Sequence, residues 1–349
     1  MGCNNSSYIT INLDRMNPMF SAGETVSGTS TVNIQEGDVK VDEIFIILEG
    51  EAGYTTTRHV DQGNGSSRIE TDYHSVPFFR AKQILESPEK GHKEMVYHRG
   101  QYSWRFELLL PPQLPPSINQ PKKYPHVRYF LKFVIDKPWY KRNSNQILYL
   151  TVFPRVNLSH NPQCLMGSMF GNHNRKDVNL RGNLNKLGYV PGESIMGTLE
   201  IENPRRIKLK EIQLSLTQHY KIECNSGKEK IFEIMLPGIV NRNDERILEN
   251  FSAMTPLTPL PPSYQYHDGS PKAAYVEVVY FLKFDVKAEG MFTNFEASIP
   301  ITIGTESNTN PHEYQLHQSN DEYPNSLTCY PEISMHRDEH PPNYYSTSK

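Results

Sequence analysis

Apolar and polar residues alternate with period two along most of this chain, the pattern that half-buried β-strands produce. Gly, Pro, Asn and Asp residues separate the alternating segments and supply the chemistry of turns. The pattern predicts strands at residues 8–13, 25–34, 44–48, 102–110, 127–135 and 147–153. One short helix is expected at 80–85, where Arg-Ala-Lys-Gln-Ile-Leu precedes Pro88. Many short strands with so few helices indicate an all-β sandwich or barrel.

An internal repeat organises the chain, because five blocks recur in the same order. The blocks and their counterparts are 20–28 with 189–197, 40–48 with 208–216, 114–117 with 260–263, 129–133 with 280–284, and 150–152 with 301–303. The fourth block, Tyr-Phe-Leu-Lys-Phe, is identical in both copies. The spacing falls from 169 residues at the first block to 151 at the last, so the second copy has mid-domain loops that are 18 residues shorter. The sequence therefore predicts two tandem sandwiches of equivalent topology.

Two kinds of repeated block have a physical role in the framework. Gly-Glu-x-h-x-Gly, in which h is apolar, begins with a glycine suited to a positive φ in a turn. Its second glycine falls inside a strand, where it indicates a bulge or the close approach of another backbone. Leu-Pro-Pro-Ser fixes an extended crossing between strands. We interpret these blocks as framework and not as an active site.

The repeat divides the chain into five regions. We predict a first sandwich at 8–155, a connector without periodicity at 156–177 and a second sandwich at 178–304. A short N-terminal segment at 1–7 precedes them, and a tail at 305–349 follows them. The tail has seven acidic and two basic residues and little apolar content, which predicts disorder.

Composition and charge narrow the class of protein. The chain has 36 basic and 39 acidic residues, so it lacks the strong basic excess of a nucleic-acid-binding protein. No run approaches 18 consecutive apolar residues, and the first residues lack the apolar region of a secretory signal. The four cysteines are scattered without a Cys-x-x-Cys pair, which gives no local support for zinc or for a disulfide framework. We expect an intracellular, largely β protein.

The combination of blocks resembles the α-arrestins, the arrestin-domain-containing adaptors. The resemblance rests on the paired Gly-Glu-x-h-x-Gly turns, the Leu-Pro-Pro-Ser loop, the segment 127–139 and a Pro-Pro-Asn-Tyr segment in the tail. It covers about residues 8–303 and implies a non-enzymatic adaptor for membrane receptors or transporters. Such adaptors recruit WW-domain, HECT-type ubiquitin ligases, and the ubiquitinated cargo is endocytosed and sorted. The resemblance also implies a cytoplasmic protein at the inner face of the plasma membrane and on endosomes.

Pro341, Pro342 and Tyr344 form a Pro-Pro-x-Tyr motif in the tail. Two prolines favour the polyproline II conformation, so docking on a WW domain costs little conformational entropy. These three residues are the predicted ligase contacts. A second match at 261–264 occupies the repeat position of 115–118, which has no tyrosine, so we interpret it as a loop of the second sandwich.

The N-terminal sequence fits the pattern for myristoylation, with Gly2 and a serine at position 6. Cys3 is an adjacent candidate for palmitoylation. One myristoyl chain holds a protein on a membrane only marginally, whereas two chains hold it stably. We therefore predict attachment to the membrane surface through acylation of Gly2 and Cys3.

Two basic groups are candidate contacts for lipid headgroups or for phosphates on the cargo. Lys137, Lys141 and Arg142 surround Trp139 and Tyr140. The second group comprises Arg205, Arg206, Lys208 and Lys210. Solvated strand and loop faces are the alternative explanation for both groups.

Patterns typical of enzymes and metal sites are absent from the sequence. His336 and His340 lie four residues apart, but they precede two prolines in the predicted disordered tail and do not converge on a metal. No phosphate-binding glycine loop or nucleophile elbow is present, and no cofactor is expected. A retromer-like coat or scaffold subunit in endosomal transport is the alternative function, although the Pro-Pro-x-Tyr motif argues against it. A sandwich enzyme would need convergent polar groups, which the sequence does not show.

Overall fold

Two β-sandwiches follow one another along the chain in the computed structural model of this protein. The structure describes residues 7–61, 67–119, 123–172, 178–267, 274–290 and 294–307. Strands and three short 3-10 helices are the regular elements of these ranges. The prediction of an all-β fold with two tandem sandwiches is confirmed.

Ten strands build the first sandwich. Their bounds are β1 (Ser7–Leu13), β2 (Met19–Ser21), β3 (Thr25–Ile34), β4 (Val39–Val41), β5 (Glu43–Asp61), β6 (Ser67–Glu86), β7 (Met95–Tyr97), β8 (Gly100–Leu109), β9 (His126–Asp136) and β10 (Ser144–Phe153). One sheet has the order β1-β3-β8, and the other has the order β2-β10-β9-β5-β6. β4 and β7 form a separate pair. The apolar positions of both sheets face each other and form the core.

Ten further strands and the three 3-10 helices follow. The helices are Leu158–His160, Pro162–Leu165 and Pro237–Ile239. The strands are β11 (Ser168–Asn172), β12 (Asn179–Leu184), β13 (Gly188–Tyr189), β14 (Ser194–Glu202), β15 (Leu209–Ile222), β16 (Asn225–Met235), β17 (Arg246–Met254), β18 (Tyr264–His267), β19 (Tyr275–Ala288) and β20 (Phe295–Ile303). One sheet has the order β11-β12-β14-β17, and the other has the order β13-β20-β19-β15-β16 with β18 paired to β19.

The repeated Tyr-Phe-Leu-Lys-Phe block occupies the equivalent strand in both sandwiches. In the first copy it lies in β9, between β10 and β5, and in the second it lies in β19, between β20 and β15. The strand before it in each sheet, β5 or β15, pairs antiparallel with it. Equivalent neighbours on both sides confirm that the sequence repeat is a structural repeat.

The repeated glycines have the conformations that the sequence predicts. Gly23 and Gly192 open the turns with φ values of 83° and 84°, a region that residues with a side chain seldom adopt. Gly28 lies in β3, where a Cβ would approach the carbonyl oxygen of Asn12 to 2.2 Å. The equivalent Cβ on Gly197 would lie 2.4 Å from a backbone oxygen of β12. Both second glycines therefore permit a close approach of the neighbouring strand.

The Leu-Pro-Pro-Ser segments are tied to the last strand of each sandwich by a pair of hydrogen bonds. Ser117 donates its backbone N–H to the Val152 carbonyl at 2.9 Å, and its hydroxyl accepts from the Val152 N–H at 2.9 Å. Ser263 makes the same two bonds with Ile303, at 2.8 and 2.9 Å. The serine therefore supplies both a donor and an acceptor at the end of an irregular crossing.

The helix expected at 80–85 is wrong, because these residues belong to β6. They pair with β5, for example Arg80 with Glu49 and Lys82 with Ile47. Side chains alternate between partly buried and exposed along the segment, and Ala81 and Leu85 pack against the core. Six residues with helical preference do not outweigh a long antiparallel ladder, since an isolated turn of helix is costly to nucleate.

The segment expected to be a connector is more structured than its composition indicates. Its first part forms two 3-10 helices, and Ser168–Asn172 forms β11, which pairs with β12 in the second sandwich. Phe170 is buried in this strand and stacks on Phe284 with ring centroids 4.9 Å apart. A single buried aromatic residue amid polar neighbours left no period-two pattern in the sequence.

The two sandwiches contact each other where the hairpin of β15 and β16 meets β5. Thr55 donates its backbone N–H to Asn225 Oδ1 at 2.6 Å, and Asn225 Nδ2 donates to the Thr55 carbonyl at 3.0 Å. Phe78 of the first sandwich packs against Tyr266 of the second, with ring centroids 5.7 Å apart. The side-chain amide thus replaces a neighbouring strand for one residue of β5.

Candidate functional site

The loop between β9 and β10 presents aromatic and basic side chains on a buried base. Lys137 and Pro138 are buried, whereas the next five residues, 139–143, are exposed. Trp139 is 95% exposed and Tyr140 is 55% exposed. Their rings meet edge to face, with centroids 5.9 Å apart and an interplanar angle of 89°. An almost fully exposed tryptophan next to exposed cations is an unusual surface for a folded domain and indicates an interaction site.

Hydrogen bonds within the loop hold its two ends together. Asn143 Oδ1 accepts from the Lys137 backbone N–H at 2.9 Å, and Asn143 Nδ2 donates to Asp136 Oδ1 at 2.6 Å. The Lys141 backbone N–H donates to the Pro138 carbonyl at 2.7 Å and closes the turn. The aromatic residues therefore lie on a turn that these hydrogen bonds hold at both ends.

Lys137 does not take part in this exposed surface, which corrects its place among the expected contacts. Its side chain is buried, and Nζ donates to Ser144 Oγ at 2.7 Å. Burial lowers the pKa of the Lys137 ammonium, and the nearby Lys141 lowers it further. Lys137 supports the base of the loop, while Lys141 and Arg142 remain exposed to solvent.

This loop lies at the end of the first sandwich that points away from the second sandwich, which we call the outer end. Asp136 pairs with Glu43 at the start of β5, whereas the interdomain contact at Thr55 is about 40 Å further along that strand. The first residue of β1, Ser7, pairs with Ile34. Residues near these strand ends share one apolar cluster, namely Ile9, Ile34, Val41 and Ile135. The first strand therefore begins at the end that carries the Trp139 loop.

The second basic group lies at the outer end of the second sandwich. Arg205, Arg206 and Lys208 are exposed in the loop between β14 and β15, and Lys210 is exposed in β15. Leu209, between them, pairs with Ala288 at the end of β19 that is opposite the interdomain contact. Arg206 lies 3.5 Å from Glu245, so part of its charge is compensated. The structure places the two basic groups on different sandwiches and does not join them into one patch.

The Pro-Pro-Ser-Tyr match at 261–264 is built into the second sandwich. The Pro261 carbonyl accepts from Tyr280 OH at 2.6 Å, and Pro262 and Ser263 are buried. Tyr264 begins β18 and pairs with Val278 of the central strand. Its repeat counterpart, Ile118, makes the corresponding bridge to Val127. This geometry supports the interpretation of the match as framework, because a WW domain needs an accessible polyproline II segment.

The predicted acylation and ligase sites lie outside the described residues. Gly2 and Cys3 precede β1, and Pro341, Pro342 and Tyr344 follow the last described residue by more than thirty positions. Their roles remain predictions from the sequence. His336 and His340, which the sequence analysis set aside as metal ligands, also fall in this part of the chain.

One polar cluster near the interdomain contact was not identified from the sequence. Glu51 is buried and accepts from Arg128 Nε and from Ser75 Oγ, the latter at 2.7 Å. The fully buried His126 places Nε2 at 3.9 Å from Glu51 Oε1. His126, Ser75 and Arg128 together lower the pKa of Glu51 to about 2, against the opposing effect of burial. The cross-strand register of β5 and β9 that creates the cluster is not readable from residue spacing alone.

The described ranges contain no cluster of three or more His, Cys, Asp or Glu side chains arranged to hold a metal ion. In the same ranges, no helix has the length and apolar character needed to cross a membrane.

Two family models match this chain. Residues 9–159 match the model described as Arrestin (or S-antigen), N-terminal domain, and residues 174–308 match the model described as Arrestin (or S-antigen), C-terminal domain. Each match covers one of the two sandwiches, and together they cover most of the 349 residues. Together, these two matches show that the chain belongs to the arrestin family.

Proposed function

We propose that this arrestin-family protein is an adaptor of the α-arrestin type that links membrane cargo to a WW-domain, HECT-type ubiquitin ligase. The observation that supports this proposal is the combination of two arrestin sandwiches with a Pro-Pro-x-Tyr motif placed after them. The fold offers two sandwiches for binding the cytoplasmic part of a receptor or transporter. Cargo ubiquitination, endocytosis and sorting at the plasma membrane and endosomes follow from that arrangement.

The tail motif is the proposed ligase contact. Thirty-seven residues, 304–340, separate the end of β20 from Pro341, so the motif is remote from the sandwiches along the chain. The other Pro-Pro-x-Tyr sequence is held in the fold by the hydrogen bond of the Pro261 carbonyl and the pairing of Tyr264. A single WW contact of this kind has a Kd on the order of 10 μM. In this proposal ligase binding depends on the one motif at 341–344 and gains from a high local concentration at a membrane.

Acylation of Gly2 and Cys3 is the proposed source of that local concentration. Two acyl chains would hold the protein at the cytoplasmic face of a membrane, where cargo is encountered. The exposed cations Lys141 and Arg142 at one outer end are proposed contacts for anionic headgroups or for phosphates on cargo. The same role is proposed for the exposed cations at the other outer end: Arg205, Arg206, Lys208 and Lys210.

The ligase contact is tested by comparing Tyr344→Ala with Tyr345→Ala, which removes the same side chain one position outside the motif. Tyr344→Ala removes the anchor of the WW pocket and should weaken binding to a tandem WW fragment by about 2 kcal/mol. Tyr345→Ala should bind as the wild type does. Binding is measured by titration calorimetry, and ligase-dependent cargo ubiquitination is measured in cells. Equal binding by wild type and Tyr344→Ala would contradict the proposal.

The coat-subunit alternative predicts a different result from the same variants. A retromer-like subunit would co-sediment with coat partners, and Tyr344→Ala would leave that assembly unchanged. Acylation is tested separately by labelling cells with alkyne-myristate and fractionating membranes. Gly2→Ala should lose the label and move to the cytosol, while Cys3→Ser should keep the label and bind membranes weakly. An unlabelled wild-type protein would contradict the proposed anchor.

A further inference from the structure

We propose that the outer end of the first sandwich inserts Trp139 and Tyr140 into the interfacial layer of a phospholipid bilayer. Lys141 and Arg142 would then lie at the level of the headgroups and contact anionic lipids. This inference extends the proposed adaptor function, because it assigns a membrane-facing edge to the folded domain itself. It does not require that Gly2 or Cys3 be acylated.

The residue types at the loop tip match the chemistry of the membrane interface. Tryptophan and tyrosine combine an apolar ring with a polar N–H or O–H group, and they concentrate where hydrocarbon meets water. Trp139 is 95% exposed and Tyr140 is 55% exposed, so both rings are available without unfolding. The T-shaped arrangement of the two rings presents them as one wedge. A bilayer would cover this apolar surface, which water now contacts.

The structure of the loop reduces the cost of insertion. Asn143 accepts from the Lys137 N–H and donates to Asp136, and we call this pair of hydrogen bonds the Asn143 clamp. The clamp and the hydrogen bond from the Lys141 N–H to the Pro138 carbonyl fix the backbone on both sides of the aromatic residues. Buried Lys137 anchors the base through Ser144. Insertion would therefore order few additional torsions, and a preorganised contact loses less entropy on binding.

Charges around the loop favour a bilayer surface with modest anionic content. Lys141 and Arg142 are both exposed, and neither side chain forms an ion pair within the described residues, so both cations are available to headgroups. Acidic side chains also occur at this end. Asp136 accepts from Asn143, and Glu94 pairs with Lys40. The aromatic wedge, and not a large positive field, would then provide most of the binding.

The path of the chain supports the same orientation. Ser7, the first described residue, lies at the outer end, the same end of the first sandwich that carries the Trp139 loop. Gly2 is five residues from Ser7, a span of at most about 18 Å when extended. An acyl chain on Gly2 and the ring of Trp139 would therefore be able to enter the same leaflet. The second sandwich, which contacts the opposite end of the first, would point into the cytosol.

The experiment uses the full chain made without acylation and phospholipid vesicles with and without phosphatidylserine. Trp104→Phe leaves Trp139 as the reporter, because the chain has two tryptophans. The emission of Trp139 should shift to shorter wavelength on adding vesicles, and lipids brominated along their acyl chains should quench it. Trp104 donates its indole N–H to Glu86, and Trp104→Phe removes this hydrogen bond. If Trp104→Phe folds poorly, the spectrum of Trp139→Phe is subtracted from the spectrum of the wild type. The difference is the emission of Trp139.

Vesicle partition of the variants supplies a second readout. Trp139→Ala with Tyr140→Ala should lower partition by about tenfold or more on both vesicle types. Lys141→Gln with Arg142→Gln should lower it by roughly tenfold only on vesicles with phosphatidylserine. The matched control Lys228→Gln with Lys230→Gln removes two exposed charges from β16 of the second sandwich, outside both basic groups, and should have little effect.

Two outcomes would overturn the inference. One is an unshifted, unquenched Trp139 signal together with unchanged partition of the aromatic double variant. The other is a double variant that binds vesicles normally but loses cargo, which would make the loop a protein-binding surface. Because the protein is unacylated and carries an intact tail, neither outcome depends on Gly2 or Tyr344. Failure of the adaptor proposal would instead appear in the Tyr344→Ala comparison.

Discussion

The loop after the central strand has the same asparagine hydrogen bond in both sandwiches, yet the sequence at its tip differs. Asn143 Oδ1 accepts from the Lys137 N–H at 2.9 Å, and Asn294 Oδ1 accepts from the Ala288 N–H at 3.1 Å. The two donors, Lys137 and Ala288, are 151 residues apart in sequence, and so are the two acceptors, Asn143 and Asn294. The first tip reads Trp-Tyr-Lys-Arg and the second reads Gly-Met-Phe-Thr. The clamp is therefore a requirement of the fold, whereas the side chains at the tip are free to carry an interaction.

A second difference concerns a buried tyrosine at the centre of each sandwich. Tyr129 and Tyr280 each donate to the carbonyl of the first proline in Leu-Pro-Pro-Ser at 2.6 Å. Opposite Tyr280, Gln218 donates to the tyrosine oxygen at 2.9 Å. Opposite Tyr129 the residue is Gly50, and Phe78 fills the space and reaches the second sandwich. The first sandwich thus has an interdomain aromatic contact where the second has a hydrogen bond.

The cross-strand pair next to these tyrosines differs in charge. The first sandwich pairs Glu51 with Arg128, and the second pairs His219 with Val279. Burial, followed by the charges of Lys283 and Lys228, lowers the pKa of His219. Equivalent register therefore does not imply equivalent electrostatics, because the backbone pairing that sets the register does not determine the charge of each side chain.

The largest expected effect comes from the close-packed glycines. Gly28→Ala and Gly197→Ala should each destabilise the protein by roughly 4 kcal/mol, because the added Cβ would overlap a backbone oxygen that only a strand shift can relieve. Hydrogen exchange should show opening confined to β3 and its neighbours in the first case and to β14 in the second. Thr25→Ala and Met196→Ala, at exposed positions of the same strands, are the controls. If either variant lost hydrogen-exchange protection equally in both sandwiches, this prediction would be wrong.

The two buried tyrosines should respond unequally to loss of their hydroxyl groups. Tyr280→Phe leaves both the Pro261 carbonyl and the buried Gln218 amide without this partner, so we expect a loss of about 3 kcal/mol in unfolding free energy. Tyr129→Phe removes one such bond and should cost about 1.5 kcal/mol. Denaturant unfolding measures both values. The double variant Tyr280→Phe with Gln218→Leu also removes the unpaired amide and should recover part of the lost unfolding free energy. Equal effects of Tyr129→Phe and Tyr280→Phe would contradict the assignment.

The Glu51 carboxylate should give the first sandwich an acid-sensitive contribution that the second lacks. The pKa of Glu51 is lowered to about 2, so its contribution is complete above the ordinary value of 4.5 and is lost as pH falls toward 2. Glu51→Gln should cost about 2 kcal/mol at pH 7, after a discount for partial contact with solvent. The difference from wild type should shrink steadily below pH 4.5. A difference that stays constant from pH 7 to pH 3 would show that the charge is unimportant.

The asparagine clamps should give the smallest effect on stability and the clearest difference in function. Asn143→Ala and Asn294→Ala each leave one backbone N–H without its partner and should cost about 1 kcal/mol. Only Asn143→Ala should also weaken vesicle binding through the Trp139 loop. Thermal unfolding and vesicle partition are measured on the same samples. Equal vesicle binding by the two variants would show that the hydrogen bonds of Asn143 do not contribute to the membrane contact.

Several features could be predicted because they repeat or alternate in the sequence. Alternation located five of the ten strands described in the first sandwich to within three residues, as at 25–34, which matches β3, whereas 44–48 covers only the start of β5. The paired glycine turns and the Leu-Pro-Pro-Ser crossings were also readable, since each depends on local backbone preference. The same repeat indicated that 261–264 is framework. The Asn143 clamp had a signal of the same kind, because its counterpart Asn294 lies at the repeat spacing.

Other features depended on partners that are distant in sequence. The segment 80–85 has residues that favour a helix, but its long ladder with β5 made it a strand. β11 contains one buried aromatic residue, Phe170, whose role is set by Phe284 across the core. The sequence predicts that Lys137 is a surface cation, yet its ammonium group is buried and donates a hydrogen bond to Ser144. In each case the outcome was decided by packing that no window of neighbouring residues contains.

The sequence by itself determined the all-β class, the two copies and the framework turns, because these follow from period-two alternation, glycine and proline chemistry, and repetition. Only the tertiary structure decided which cations reach solvent, which end of each sandwich they occupy and how the sandwiches contact each other. Those properties depend on cross-strand register and burial, which bring residues such as Thr55 and Asn225 together across 170 positions of the chain. The exposure of Trp139 at the end of the first sandwich where β1 begins belongs to this second class, because the ends of β9 and β10 place it there and not a local motif.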